Sequence, residues 1–524
     1  MAPSLNTILP NGIGNGNIST HNVLALAAGA AALFVVWRLA IIVYRLTLHP
    51  LAKYPGPKLY AATNLPGSWG LNVSGNLVRD SLDLHQKYGP IVRIAPDHLS
   101  VDGSIGWPQI FQHRPGKAEW SKVAGWYHPG DTQGLIGGTH DNHKRLRRQL
   151  NHAFSTESMY EQEPVVQKYM DLFFAQLSKK ATTGEVFDIV PWYNFLTFDI
   201  IGDLTFADSF HNLDGGEYHP WVLGTFKAIL GSGISRFTQR YPFTKPIFKS
   251  VSSSAESLKM EIQNRELANE KAMSRKAQGE SPGGRKDFMT YMLKKTRDGQ
   301  PGFSDLDLIM NSPLIVTAGS ETTATTMAGF TFHLGLKENR AVYDRLARDI
   351  RAAFTDESEI DMKTTARVPY LTATIEETLR LYPPAAETPP RVSPGAELEG
   401  QYIPKGTLAS IFQYSTYRNP NNFHDPNTMH PERWLPASHE LYNPVFANDN
   451  KASFHPFSFG TRDCLGKNLA YSELRVAIAR LLFRFDFELA PGQEDWQDKS
   501  KVLIVWEKGP LHVKLTERKL VPVN

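Results

Sequence analysis

The chain carries one thiol, Cys464, in the stretch Phe457-Ser-Phe-Gly460-Thr-Arg462-Asp-Cys464-Leu-Gly466. A lone cysteine is ordinarily inert core filler, but these neighbours point elsewhere. Gly460 permits a tight reversal, and Gly466 lets the following chain approach something flat. Periodicity predicts a helix over Leu469 to Leu482, with Cys464 at its N-terminus, where free amides and the helix dipole favour a thiolate. Arg462 is placed to meet an anionic ligand group, and Phe457 supplies an apolar screen. A shielded thiolate at a helix start suits a soft axial ligand for haem iron.

Other chemistries are excluded. One cysteine makes no intramolecular disulfide, zinc knuckle, CxxC redox pair or four-thiolate cluster. No GxSxG elbow or HExxH is present, Gly12-x-Gly14-x-Gly16 follows no strand, and Gly460 to Lys467 is one residue too long for a phosphate loop. Lys plus Arg is 56 and Asp plus Glu is 53, a net charge of +3. That balance argues against a nucleic-acid partner. With 41% hydrophobic and 21% charged residues, the chain can bury a large core. A mean hydropathy of −0.33 excludes a multi-span membrane protein.

These residues need elements to hold them. Pro90 to Val101 alternates and reads as a strand pair. Asp305 to Leu336 reads as one long, mostly apolar helix with Pro313 in its first turns, and Val368 to Leu381 as a second helix. Irregular, Pro-rich chain then runs from Tyr382 to about Asp463, a length that needs a functional reason. Ser250 to Arg285 reads as a surface helix followed by an exposed loop.

The N-terminus reads as an anchor. Val23 to Trp37 is an unbroken apolar run of 15 residues and resumes as Leu39 to Tyr44. Residues 23–44 as a helix span about 33 Å, enough for a hydrocarbon core of about 30 Å. Residues 1–37 contain no Lys or Arg, whereas the next 21 contain Arg38, Arg45, Lys53 and Lys58. The positive-inside rule then places residues 1–22 in the lumen and the rest in the cytosol. Asn17-Ile18-Ser19 is a glycosylation sequon on that luminal side. The proline-rich connector at 45–58 is stiff and extended.

At the cysteine loop the sequence resembles the cytochrome P450 family of haem-thiolate monooxygenases, whose pattern FxxGxRxCxG is matched at every fixed position. Glu377-Thr-Leu-Arg380 resembles the family's ExxR, and Pro431-Glu-Arg433-Trp resembles its PERW, whose arginine completes a buried network with the ExxR pair. Ala318-Gly319-Ser-Glu321-Thr322-Thr resembles the central-helix oxygen motif, and the connector HPLAKYPGPKL looks like that of membrane-anchored fungal members. The implied fold is mainly α with small β-sheets: one large helical domain, 59–524, behind a transmembrane helix.

The resemblance also implies roles. Cys464 is the axial ligand of haem b, with Gly460, Gly466 and Phe457 shaping the loop. Many members bind a haem propionate with a tryptophan and an arginine four residues on; here His143 takes the first place and Arg147 the second, with His140 and Lys144 as alternatives to His143. Arg391 and Arg462 are further propionate partners. Thr322 holds dioxygen and a water, Glu321 relays protons inward, and Gly319 leaves a notch for oxygen. The implied reaction is NADPH-driven monooxygenation of a mainly apolar small molecule by O2, and the implied setting is fungal secondary metabolism at the endoplasmic reticulum membrane. Electrons come from a membrane-bound NADPH–cytochrome reductase, with cytochrome b5 as a possible second partner. By family position the substrate walls are Gly125 to Gly137, Trp221 to Ile234, Leu314 to Thr317, Ala385 to Thr388 and Lys508 to Leu511, with no charged anchor expected. The rivals are a haem-thiolate sensor and a reductase-independent, peroxide-rearranging enzyme; the Glu321-Thr322 pair weighs against both.

Overall fold

The computed structural model describes residues 20–124, 126, 132–248, 255–281, 284–295 and 299–519. The Asn17 sequon and Gly12 to Gly16 lie outside them, as does much of the first expected substrate wall.

The N-terminal apolar helix, Thr20–Thr47, has 28 residues and buries none of them. At 1.5 Å per residue it is about 42 Å long. A soluble core helix of this composition would hide its apolar side chains, whereas here Leu33 and Val36 are exposed. Among the described residues it is the one helix long and apolar enough to cross a membrane. Its last turn is joined to the globular part: Arg45 donates to Ala62 O at 2.8 Å, and Arg93 donates to Arg45 O at 2.8 Å. The connector docks on the first strand, where Arg93 N donates to Pro55 O.

The body is mainly helical, as its sequence leads one to expect. The central helix, Asp305–Gly335, is started by a capping box between Ser304 and Asp307. It packs against the almost wholly buried helix Val190–Phe206. Pro313 is absorbed within it, and hydroxyls bond back along its length: Thr317 to Pro313 O at 2.8 Å, Ser320 to Val316 O at 2.7 Å and Thr326 to Thr322 O at 2.9 Å. The helices Pro369–Leu381 and Lys467–Arg484 complete the inner layer.

The sheets are small. Ile91–Ala95 and His98–Val101 form the expected antiparallel pair. They continue through Leu408–Ser410, Arg391–Val392 and Ser121–Lys122, and only the join of His98–Val101 to Leu408–Ser410 is parallel. Arg391 lies opposite Ala409 on one side and Lys122 on the other. The stretch after Tyr382, read as irregular, therefore contains sheet strands and the short helix Gln413–Arg418. Its paired segments are two to three residues long, too short to show a periodicity of 2. The expected surface helix is Ala255–Ala277.

Candidate functional site

The Cys464 loop is built by backbone bonds. Gly460 has φ 83°, and a Cβ there would lie 2.1 Å from Phe111 O, so only glycine fits. Cys464 N donates to Phe457 O at 2.8 Å and closes the loop. The helix begins at Lys467 with Gly466 as its N-cap. A Cβ on Gly466 would meet nothing tighter than Phe154 at 3.9 Å. Protein packing thus gives no reason for its glycine, while a flat group lying against the loop would.

Cys464 keeps an exposed surface, yet protein surrounds it closely enough that burial pushes its thiol up. Both facts hold for a group lining an enclosed cleft. The Gly466 amide pulls the thiol down, as do Arg147 and Lys467, while Asp463 opposes them. Desolvation is the largest influence on the sulfur, and it opposes the pull of the helix start.

A basic cluster lies beside this loop. Arg462 approaches Glu119 Oε1 at 3.3 Å and donates to Gly138 O at 3.0 Å. Arg391 is 4.0 Å from the same carboxylate oxygen, and His140 bonds its other oxygen at 2.6 Å. Burial alone would raise the Glu119 carboxyl, but His140, Arg462 and Arg391 hold it below its usual range. Glu119 had no signature in the sequence, since it lies 343 residues from Arg462. Arg147, from the helix His140–Leu150, donates to Asp463 O at 2.6 Å and also pairs with the Asp463 carboxylate. It braces the loop rather than joining the Glu119 cluster. His143 is buried, and burial followed by Arg462, Arg147 and Lys122 pushes it down to about 3, so its ring is neutral.

The central helix has an open stripe in its otherwise buried middle. Ala318 is exposed, and Leu314, Thr317 and Thr322 are half-buried, at helical spacing along one face. Thr322 donates to Ala318 O at 2.8 Å, so its oxygen is left as an acceptor toward that open side. Gly319 lies off the stripe: a Cβ there would be 2.7 Å from Ile201 Cδ1. It serves close packing of two helices, a correction to the expected oxygen notch. Glu321 is buried and paired with Lys508, whose ammonium also donates to Thr325 Oγ1 at 2.7 Å. Glu321 Oε2 has no partner among the described residues.

Glu377 and Arg380 lie one turn apart with fully buried side chains, bonded at 2.7 and 2.9 Å. Arg380 also donates to Tyr417 O, Pro426 O and Thr428 O. Glu377 accepts from His430 N at 2.9 Å and Trp434 Nε1 at 2.8 Å. Arg433 lies 3.4 Å from Glu377 but directs its bonds to Asp449 and to His424 O. The tryptophan of the PERW stretch, and not only its arginine, thus holds the pair.

The family model described as Cytochrome P450 matches residues 60–515. This chain belongs to the cytochrome P450 family. Three similar relatives are fungal proteins. Cytochrome P450 monooxygenase astJ of Aspergillus oryzae is 40% identical, covering 92% of this chain and 95% of the relative. Averantin hydroxylase of Dothistroma septosporum is 38% identical over 96% and 93%. Trichothecene C-4 hydroxylase of Trichoderma arundinaceum is 34% identical over 96% and 98%. The protein is thus an oxygen-incorporating oxidoreductase, and P450 membership implies haem iron as its cofactor.

The residues present fit that group. The thiol faces an enclosed cleft, Gly466 leaves the approach clear, and the arginine cluster already binds one carboxylate, as it would a propionate.

Proposed function

We propose that this P450 inserts one oxygen atom into a mainly apolar fungal secondary metabolite, with NADPH electrons delivered by a membrane-bound reductase. Residues 23–44 anchor it in the endoplasmic reticulum membrane with residues 1–22 luminal, and the connector 45–58 joins the anchor to a cytosolic domain, 59–524. The relatives' names, a hydroxylase of averantin and one of trichothecenes, support an apolar natural product as substrate. The observation that carries the reading is the sole thiol, open to an enclosed cleft beside arginines that grip a carboxylate.

In this reading Cys464 would hold the haem iron, and Arg391, Arg462 and neutral His143 would hold the propionates, with Glu119 yielding its place. Haem, when bound, supplies activation of dioxygen, one atom going to substrate and the other to water. Thr322, its hydrogen committed to Ala318 O, presents an oxygen that accepts a bond from a water or protonated group in the cleft. Glu321 moves protons toward Thr322 by breaking its contact with Lys508 and turning one oxygen to the cleft. The walls of the cleft exclude bulk water.

Cys464→Ser should abolish the red-shifted absorption that carbon monoxide gives with a thiolate-ligated ferrous haem. The same band in the variant would overturn the assignment, because no other thiol exists in the chain.

A further inference from the structure

Glu387 lies in the segment Pro383 to Pro390, between the helix Pro369–Leu381 and the strand carrying Arg391. The segment is fixed at both ends. Trp506 Nε1 donates to Pro383 O at 2.8 Å, and Thr388 N donates to Ile411 O at 2.8 Å. Within it Ala385 is exposed while its neighbours Pro384 and Ala386 are buried, so this stretch borders open space inside the fold.

Glu387 is 7% exposed and makes no hydrogen bond or ion pair with any described residue. Its oxygens are not sealed in the core, for they are absent from the buried atoms that lack partners. The carboxyl thus reaches open space from within the protein. Buried polar groups without a partner are rare and costly. Burial pushes this carboxyl up to about 8, with Arg236 offsetting part of the effect. Arg236 stands on the helix Pro220–Arg240, over the ring of Trp126 at 4.8 Å.

We propose that Glu387 is the polar anchor of the substrate cleft and holds a hydroxyl group of an otherwise apolar substrate. This rests on the monooxygenase reading of that cleft. A hydroxyl suits the site because it donates and accepts, and so pairs with a carboxyl in either protonation state. An ammonium substrate would enter the field of Arg236, and an anionic one would face the carboxyl. The apolar walls bind the body of the substrate, and Glu387 fixes which of its carbons faces the haem.

Two measurements on haem-loaded protein test this. Binding is read from the haem spectral shift with matched probes: 1-hydroxyanthraquinone against anthraquinone, and farnesol against farnesene. The hydroxylated member of at least one pair should bind wild type about tenfold more tightly. Glu387→Gln should keep most of that preference and Glu387→Leu should lose it. Failure of every hydroxylated probe to outbind its partner, or a preference that survives in Glu387→Leu, overturns the proposal. In the second measurement, Glu387→Leu should raise the melting temperature, since it removes a buried group that has no partner in the fold. A lowered melting temperature would mean that the carboxyl has a structural partner, and would overturn the proposal independently of any ligand. Failure of the monooxygenase reading looks different: the hydroxyl preference would remain, but no NADPH-dependent oxygenation would occur with reductase.

Discussion

The Lys508 ammonium is buried against the Glu321 carboxylate, with both side chains about 95% shielded from solvent. The contact joins two parts of the chain that lie 187 residues apart. Lys508 follows the hairpin of Lys501–Leu503 and Val505–Glu507, which turns at Ile504 with φ 75°, an uncommon conformation for a β-branched residue. The turn sends the lysine inward, so the expected substrate wall at 508–511 offers its charge to Glu321.

Removing one member of this pair leaves the other charge buried alone, at a cost of about 3–5 kcal/mol. Lys508→Met should therefore lower the urea midpoint of the haem-loaded enzyme, and adding Glu321→Gln should recover much of the loss. A single variant as stable as wild type would show that the pair is open to water in solution.

Thr322→Ala should fold and bind haem normally, because the lost bond to Ala318 O lies within an intact helix. NADPH use should continue, with less product and more hydrogen peroxide per NADPH. Loss of one positioned proton-transfer group costs about 10²–10⁴ in rate at most, and water recovers part of it. An unchanged product yield per NADPH would shift attention to Ser320 and Thr323.

Glu377→Ala and Arg380→Ala should each give mostly haem-free, insoluble protein, since each strands a fully buried charge worth about 3–5 kcal/mol. Trp434→Phe, which removes one bond to Glu377, should cost only about 1 kcal/mol and keep haem. The ratio of haem absorption to protein checks all three.

Glu473, on the helix Lys467–Arg484, is buried, and burial pushes its carboxyl up to about 8, with Thr323 offsetting part. The folded form keeps a proton that the unfolded chain releases above the ordinary value of 4.5. Folding therefore takes up a proton across this window, and stability falls as pH rises from 4.5 toward 8. Glu473→Gln should gain stability relative to wild type over that range, by at most about 1.4 kcal/mol per pH unit. Thermal unfolding at pH 5.5 and pH 8 reads the difference, and parallel pH curves would mean that Glu473 ionises alike in both states.

The family, the mainly helical fold and the place of the thiol were legible because each is local in the chain. The Cys464 loop is a ten-residue pattern, and Glu377 and Arg380 are three apart on one helix face. What was not legible depends on contacts between distant segments. Glu119 meets Arg462 and Arg391 through the small sheet and the loops beside it. Gly319 faces Ile201 because two helices cross there, which no spacing within the central helix reveals. Glu387 was visible as a charge in a wall expected to be apolar, but nothing in Ala-Ala-Glu-Thr-Pro shows that the fold leaves it unpartnered. The desolvation of the thiol, which opposes its helix start, could not be read from sequence either.

Arg93 is 1% exposed, and one of its bonds ends on a carbonyl in the last turn of the N-terminal apolar helix. A version of the protein cut at Lys53, within the proline-rich connector, would delete the acceptor for a buried guanidinium. One begun upstream of Arg45 would keep that acceptor but carry a greasy, unpaired helical turn. Solubility and integrity therefore pull the choice of first residue in opposite directions, and the useful starting point is set by a single carbonyl rather than by hydropathy.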